Sequence, residues 1–527
     1  MIRYNDAKQL PIEEFKTPFA VKLSKDNRWV KLAEILPWDK LAEIYHRTLS
    51  TKKKGRPNKD ARLVIGALII KHKEVLSDRR TLESIQENIY QQYFLGLSNY
   101  TYEPVFDSTL FVSIRRRLGA ASFDAMVQEL MSVVAPTGPR VKASSDEETQ
   151  ETKDSDLHAS PEAAAVVETA EKLSEQSASL NEASTEKKEN AGMLIVDMTV
   201  APADIAYPTD IDLLNTCREK TEQLVDVLYK QIPKEQKSEK PRTYRKRARK
   251  DYLEIAKQRK RSANTIRKAI RKQLNYVNRN INTVRALLTL VPDGLQYPEM
   301  KEFWVIQELY RQQFEMYQEK THRIADRIVS VAQPHVRPIV RGKAATPVEF
   351  GAQVSVSIHN NGFNRIHRIE WDAYNEGSDL QGQIEAYNTQ HGHYPEIVLA
   401  DKKYGTKDNR AFMKTHGIKY GGTPLGRPKS DGTRTDLLEK EIVNKRNWVE
   451  GKFGTGKRSY GLDNIRAKRA DTSESWIAAI FFMMNLSVLL KVLGPNFLSL
   501  FYSVLDELSD LVEVPGKGPR KLHFVIS

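Results

Sequence analysis

Three of the 68 acidic residues in this 527-residue chain sit where a carboxylate could act on a phosphodiester. Asp197 closes the apolar run of 192-GMLIVD-197, and Asp401 closes that of 396-EIVLAD-401. Short apolar runs of this kind predict buried strands. Neighbouring strands would bring both acids to one edge of a sheet. Glu450 ends 439-EKEIVNKRNWVE-450, which reads as helix, with Arg446 one turn before it and Lys457 two turns after it on about the same face. Three carboxylates with few other ligands describe a magnesium site, with manganese as a possible substitute, because hard divalent cations prefer oxygen and keep several waters. Two such ions can clamp the attacking and leaving oxygens of a phosphodiester during in-line displacement. The positive field of Arg446, Lys452, Lys457 and Arg458 suits a phosphate backbone alongside. Any one acid is far more often a solvated surface charge than a ligand. Residue type and spacing therefore leave both readings open.

The same stretch, 446-RNWVEGKFGTGKRSYGL-462, imitates a phosphate-binding loop from Gly451 to Lys457. Position 458 is arginine where such a loop needs a hydroxyl for magnesium, and the preceding residues read as helix rather than strand, so an ATPase of that type is excluded. The lone Cys217 excludes a disulfide framework and a Cys-rich zinc site, and fits a reducing interior. The opening MIRYNDAKQL lacks the apolar core of a signal peptide. The run 476-WIAAIFFMMNLSVLL-490 is interrupted by Asn485 and followed by Lys491. It falls short of the ~20 apolar residues of a spanning helix, and predicts a buried helix and no membrane partner. The pair in 391-HGH-393 has no second cluster nearby in sequence and reads as loop. A net charge of +14 and a pI near 9.4 make an anionic polymer the first partner to consider.

Residues 137–190 carry thirteen Asp/Glu against six Lys/Arg and no Phe, Trp, Tyr, Ile or Met. Such a segment cannot bury enough apolar surface to order itself and reads as a disordered acidic linker. Before it, helical patterns at 61-ARLVIGALIIKHKEVL-76, from Leu82 to Tyr93, and at 107-DSTLFVSIRRRLG-119 suggest a helix-turn-helix type of DNA reader, with Arg115 and Arg116 at the DNA and Asp107 or Ser108 as cap. A plain helical bundle with a basic surface fits the same pattern. Arg56, in 51-TKKKGRPNK-59, suits a narrow minor groove or a solvated basic loop. After the linker the pattern runs strand, a long helical block at 209–337, a strand pair turning at 360-NNGF-363, helix, strand, helix, strand and two long helices. Without the block this is a three-layer mixed α/β unit with a helical insertion after its first strand, and its reading as the ribonuclease-H type rests partly on the family resemblance given below. Within the block, Lys240 to Lys272 holds fifteen Lys/Arg in 33 residues, and Arg245 and Arg247 head a face expected to hold DNA backbone without reading bases.

The chain resembles the DDE transposases of bacterial insertion sequences, in particular the branches numbered family five and family eleven eighty-two. The resemblance rests on separated motifs in the right order: GRPNKDARLVIGALIIKH through DSTLFVSIRRRLG, 195-IVDMTVAPADIAYPTDIDLLN-215, 334-PHVRPIVRGKAATPVEFGAQVSVS-357, IVLADKKYG, and the spacing of Arg446, Glu450 and Lys457. Val443 stands where the family pattern has tyrosine, which touches fine positioning more than catalysis. The resemblance implies that Asp197, Asp401 and Glu450 hold the metals and that Arg446 and Lys457 contact DNA phosphates. It implies binding of the element's ends, hydrolysis to a free 3′-hydroxyl and attack of that hydroxyl on target DNA, within a homodimeric complex on double-stranded DNA in the cytoplasm, near the nucleoid. The expected domains are a helical DNA-binding domain (1–136), the linker (137–190), a catalytic domain (191–208 and 338–495), the insertion (209–337) and a C-terminal tail (496–527). The rival reading is a non-catalytic DNA-binding derivative of such an enzyme.

Overall fold

The computed structural model describes residues 16, 22–49, 57–134, 189–340, 348–422 and 437–510, with the side chains of 437–444 and 493–510 excepted. The expected linker falls almost wholly outside these residues, and Arg56 falls outside them too.

Seven helices are described ahead of the linker: α1 (Arg28–Ile35), α2 (Trp38–Arg47), α3 (Ala61–Lys73), α4 (Asp78–Glu87), α5 (Ile89–Phe94), α6 (Leu110–Arg117) and α7 (Ala120–Val134). Asn27, Asp60, Ser77 and Asn88 each accept an amide of the turn that follows, which is why α1, α3, α4 and α5 begin where they do. The single periodic stretch from Leu82 to Tyr93 is therefore two helices. Asn88 leaves helical geometry at φ −115° and ψ 106° and caps the second. Thr109 precedes α6, while Asp107 accepts from the Thr109 amide at 2.8 Å and its hydroxyl at 2.6 Å.

The sheet begins with β1 (Met193–Pro202) and continues with β2 (Arg337–Val340), β3 (Val348–His359), β4 (Asn364–Glu370), β5 (Ile397–Leu399) and β6 (Lys419–Tyr420). Its order is β2-β3-β1-β5-β6, with β4 also paired to β3. β1 runs antiparallel to β3 and parallel to β5. The expected hairpin joins β3 to β4. Gly362 sits in its turn at φ +81°, a conformation that side-chain-bearing residues resist. Both faces of β1 are covered. Leu194 and Val196 pack with Leu380, Ile384 and Tyr404, and Ile195 and Ala201 pack into the main core.

Between β1 and β2 come α8 (Asp210–Gln231), α9 (Arg245–Ala256), α10 (Ala263–Leu290) and α11 (Tyr297–Glu319). Leu274, Val277 and Ile281, at helical spacing on α10, form one stripe and meet Leu214, Leu224 and Ile306 in a core of their own. The fold is thus mixed α/β and rich in helix. α12 (Leu380–His391), α13 (Lys407–Thr415), α14 (Leu437–Tyr460) and α15 (Ala470–Asp510) complete it. α15 runs straight through position 495, so the expected start of a C-terminal tail is not an element boundary.

The N-terminal helices share one core with the sheet. Ile65, Phe111, Phe123 and Met126 lie in the same cluster as Ile195, Val354, Val449, Ile480 and Phe482. α15 is the common partner of α3, α6, α7, β4 and α14. Over Ala470–Val492 it is long and apolar enough to cross a membrane, but its most apolar 18-residue window is 67% buried against protein. Phe481 and Phe482, each 2% exposed, contribute ~1.5–3 kcal/mol apiece by burial. Arg365 of β4 clamps Asp124 of α7 at 2.9 and 3.0 Å, adding a polar tie across the same junction.

Candidate active site

Strand register brings two of the three acids together. β1 and β5 pair in parallel with Leu194 opposite Val398 and Ile195 opposite Leu399. Two residues further along each chain stand Asp197 and Asp401, just beyond the last paired residues, and the charge of Asp401 is felt at Asp197. Side chains alternate along a strand. Asp197 therefore shares the face of Ile195, which belongs to the main core beneath α14. The chain leaves β5 immediately before Asp401, which caps the 3-10 turn Lys402–Tyr404 by accepting the Lys402 amide at 2.7 Å. Arg446 of α14 reaches over the sheet edge and lies 3.4 Å from the Asp401 carboxylate.

Asp197 is harder to ionise here than an ordinary aspartate. Burial pushes the Asp197 carboxyl up to about 6, and the nearby carboxylates of Glu376 and Asp401 push in the same direction. The Met198 amide, 2.8 Å from Asp197 Oδ1, and the charge of Arg446 oppose the rise. Glu376 was not among the expected site residues. It opens the 3-10 turn Glu376–Asp379 ahead of α12, is 6% exposed and is paired with Lys403 Nζ at 2.9 Å. Tyr404 is a core residue, fully buried, and its hydroxyl has no hydrogen-bond partner among the described residues. Burial and the charges of Glu376 and Asp197 hold that phenol far above its usual range.

Glu450 is exposed, one turn beyond Arg446 on α14. Its neighbour Val449 is buried in the main core, and Phe453 and Tyr460 continue the stripe that fixes the helix. Lys457 is half-buried on the same helix. Among the described residues no three acid or imidazole side chains stand close enough to share an ion. The 391-HGH-393 loop does find a second cluster in space. His391 Nε2 meets His359 Nδ1 at 2.9 Å, and Ser357 Oγ joins His359 at 3.3 Å and His367 at 2.7 Å. Asp210 accepts from Arg327 at 2.7 Å, and Asp212 from the Tyr252 hydroxyl at 2.8 Å.

The basic residues expected at DNA divide. Arg115 faces inward: it is 7% exposed, makes a two-pronged pair with Asp78 at 2.9 and 2.8 Å and lies over the Trp476 ring. The reason is helical period. Phe111, Ile114 and Leu118 form the buried stripe of α6, and Arg115 falls on it. Arg116, one residue on, is exposed. In the insertion, Arg245 is held by Asp226 at 2.9 and 3.0 Å, whereas Lys246, Arg247 and Arg249 point outward from α9, where Ala248 and Ile255 are the buried residues.

Comparison with known proteins meets this geometry at two places. Residues 18–117 match the family described as a transposase domain (DUF772), and residues 398–487 match the family described as a transposase DDE domain. The second match contains Asp401, Arg446, Glu450 and Lys457. The uncharacterized protein ORF8 in the nfe locus of Rhizobium meliloti is 29% identical over 112 residues, 21% of this chain and 52% of that protein. The chain therefore spans about half the length of that relative. Both matched families are transposases. Over those two stretches the chain is similar to transposases, and the two matches support a DDE transposase of the insertion-sequence kind.

Proposed function

We propose that this protein binds the ends of its own insertion sequence, hydrolyses a phosphodiester there to free a 3′-hydroxyl, and joins that hydroxyl to target DNA. In this reading the sheet with α12 to α15 is a ribonuclease-H-like catalytic unit, α8 to α11 are an insertion into it, and the N-terminal helices bind DNA. Asp197, Asp401 and Glu450 would hold magnesium, with manganese as a substitute. The observation that carries the reading is the parallel pairing of β1 with β5 just ahead of Asp197 and Asp401, which leaves the two acids within each other's electrostatic reach, with Arg446 of α14 3.4 Å from Asp401. The donors fit a hard cation. Both are carboxylates, and burial together with neighbouring acids leaves Asp197 short of positive charge. Divalent ions would stabilise the charge on the attacking and leaving oxygens. The chain's own residues do the rest. Asp197 and Asp401 orient from the sheet, Glu450 from α14, and Arg446 and Lys457 hold the phosphates on either side of the scissile bond. Arg116 and the outward face of α9 hold backbone further away.

The test is cleavage of element-end DNA in magnesium by purified Asp197→Ala, Asp401→Ala and Glu450→Ala proteins, with DNA binding measured in parallel. Cleavage is expected to disappear while binding stays near wild type. Wild-type nicking by Glu450→Ala would remove Glu450 from the site. Wild-type nicking by all three would overturn the reading.

A further inference from the structure

We propose that Glu376 is a further carboxylate of the metal-binding end and that Lys403 is its built-in counter-ion, occupying the place of a cation until one binds. The proposal rests on the assignment of Asp197 and Asp401 above and adds to it a residue from the opposite layer of the fold.

Three features build Glu376 into the site. The turn that carries it is pressed against the turn that follows Asp401. A Cβ at Gly377 would lie 2.7 Å from the Lys403 carbonyl oxygen, so only glycine permits the approach. Asn409, 4% exposed, ties the same two turns together by donating to the carbonyls of Gly377 at 2.7 Å and Tyr404 at 2.9 Å. Next, the Glu376 side chain is 8% exposed and its partner Lys403 is 69% exposed. A buried carboxylate held by a lysine from the rim is an asymmetric pair. The acid is fixed, and the base can leave into solvent. Finally, the fully buried Tyr404 hydroxyl lies in the field of both Glu376 and Asp197 and has no partner among the described residues. A buried hydroxyl without a partner is uncommon. Here it belongs to the turn that Asp401 caps and Asn409 ties to Gly377, where a water of a hydrated cation would accept or donate the missing bond. Each outer acid is at present held by a base, Asp401 by Arg446 and Glu376 by Lys403. Release of Lys403 would free Glu376 toward Asp197.

The probe is manganese alone, titrated into the full-length protein without DNA and followed by the electron paramagnetic resonance signal of free Mn²⁺. Lys403→Met removes a competitor for the acid and is expected to tighten Mn²⁺ severalfold. Glu376→Gln keeps the shape and is expected to weaken it roughly tenfold, the scale of losing a partner close to a metal. In the double variant the Lys403→Met gain is expected to vanish. A merely structural role for Glu376 would not make removal of an exposed lysine tighten Mn²⁺. Melting of each variant in EDTA shows that it is folded. Asp197→Asn separates the two readings. If it leaves Mn²⁺ binding unchanged, the site assignment itself fails. If it weakens binding while Glu376→Gln and Lys403→Met both match wild type, the Glu376 inference alone is overturned.

Discussion

Replacing Asp197 with asparagine should make the metal-free protein more stable. Its carboxyl ordinarily titrates at 3.8 and is raised to about 6 here, first by burial and then by Glu376 and Asp401. At ~1.4 kcal/mol per pH unit, that difference corresponds to about 3 kcal/mol between the two protonation states. Asp197 is partly exposed, so solvent screening brings the expected figure to roughly 1–3 kcal/mol. The sign follows from proton linkage. Between pH 3.8 and 6 the folded protein holds a proton that the unfolded chain has lost, so wild-type stability falls as pH rises through that window and levels off above it. Asparagine removes this dependence. In EDTA, the melting midpoint of Asp197→Asn should exceed that of wild type at pH 8 and nearly coincide with it at pH 4. Hydrogen exchange of the β1 amides offers a local version of the same measurement. Adding magnesium at pH 8 should raise wild type and leave the variant where it was. A variant less stable than wild type at pH 8 in EDTA, or a difference equal at both pH values, would refute the electrostatic account of the site.

Arg115→Ala should cost roughly 1–3 kcal/mol by stranding a largely buried Asp78 beside Lys71, with no change in the salt dependence of DNA binding; Arg116→Gln should do the reverse, sparing stability and lowering the salt slope by ~0.9 if it touches one phosphate. Equal effects of the two would remove α6 from the DNA path. Changing Lys246, Arg247 and Arg249 together to Gln should flatten that slope by up to ~2.7 units on matched and random duplexes alike, and adding Arg245→Gln should change it little because Asp226 already holds that guanidinium. Gly377→Ala drives a methyl into the Lys403 carbonyl and should abolish cleavage while circular dichroism keeps the wild-type helix content, since the damage falls on the loop after Asp401.

Elements with strong local signals were legible. The apolar runs at 194–196 and 397–399 became β1 and β5, the NNGF turn became a hairpin, and the stripe of Leu274, Val277 and Ile281 became the inner face of α10. Asp197 and Asp401 could be picked out because each follows such a run. What depended on tertiary neighbours was not legible. Nothing within ten residues of Glu376 marks it, because the groups that give it meaning, Asp197 and Lys403, are remote in the chain. The HGH loop looked isolated because its partner His359 is 32 residues away and lies on another strand. Arg115 was a different kind of miss. The spacing of Phe111, Ile114 and Leu118 already placed it on the inward face, and the run of three arginines outweighed that signal. The helix break at Asn88 was likewise available in a residue that caps well and propagates poorly.

α15 has a further consequence for how this chain comes into being. It supplies Ile480, Phe482 and Trp476 to helices laid down some 350 to 400 positions earlier. A ribosome working at ~5–20 residues per second exposes those early helices for tens of seconds before their last wall emerges. During that interval Lys71 and Arg115 lack the indole they rest on, and the apolar side of α3 is open. A product terminated before position 470 should accordingly be captured by chaperones or degraded rather than persist as a stable fragment occupying DNA. Pulse proteolysis of such a truncation beside the full chain would reveal it by rapid loss of the α3 to α7 segment. The arrangement makes synthesis of α15 a checkpoint: α3 to α7 become durable only after the residues around Trp476 to Phe482 have been made.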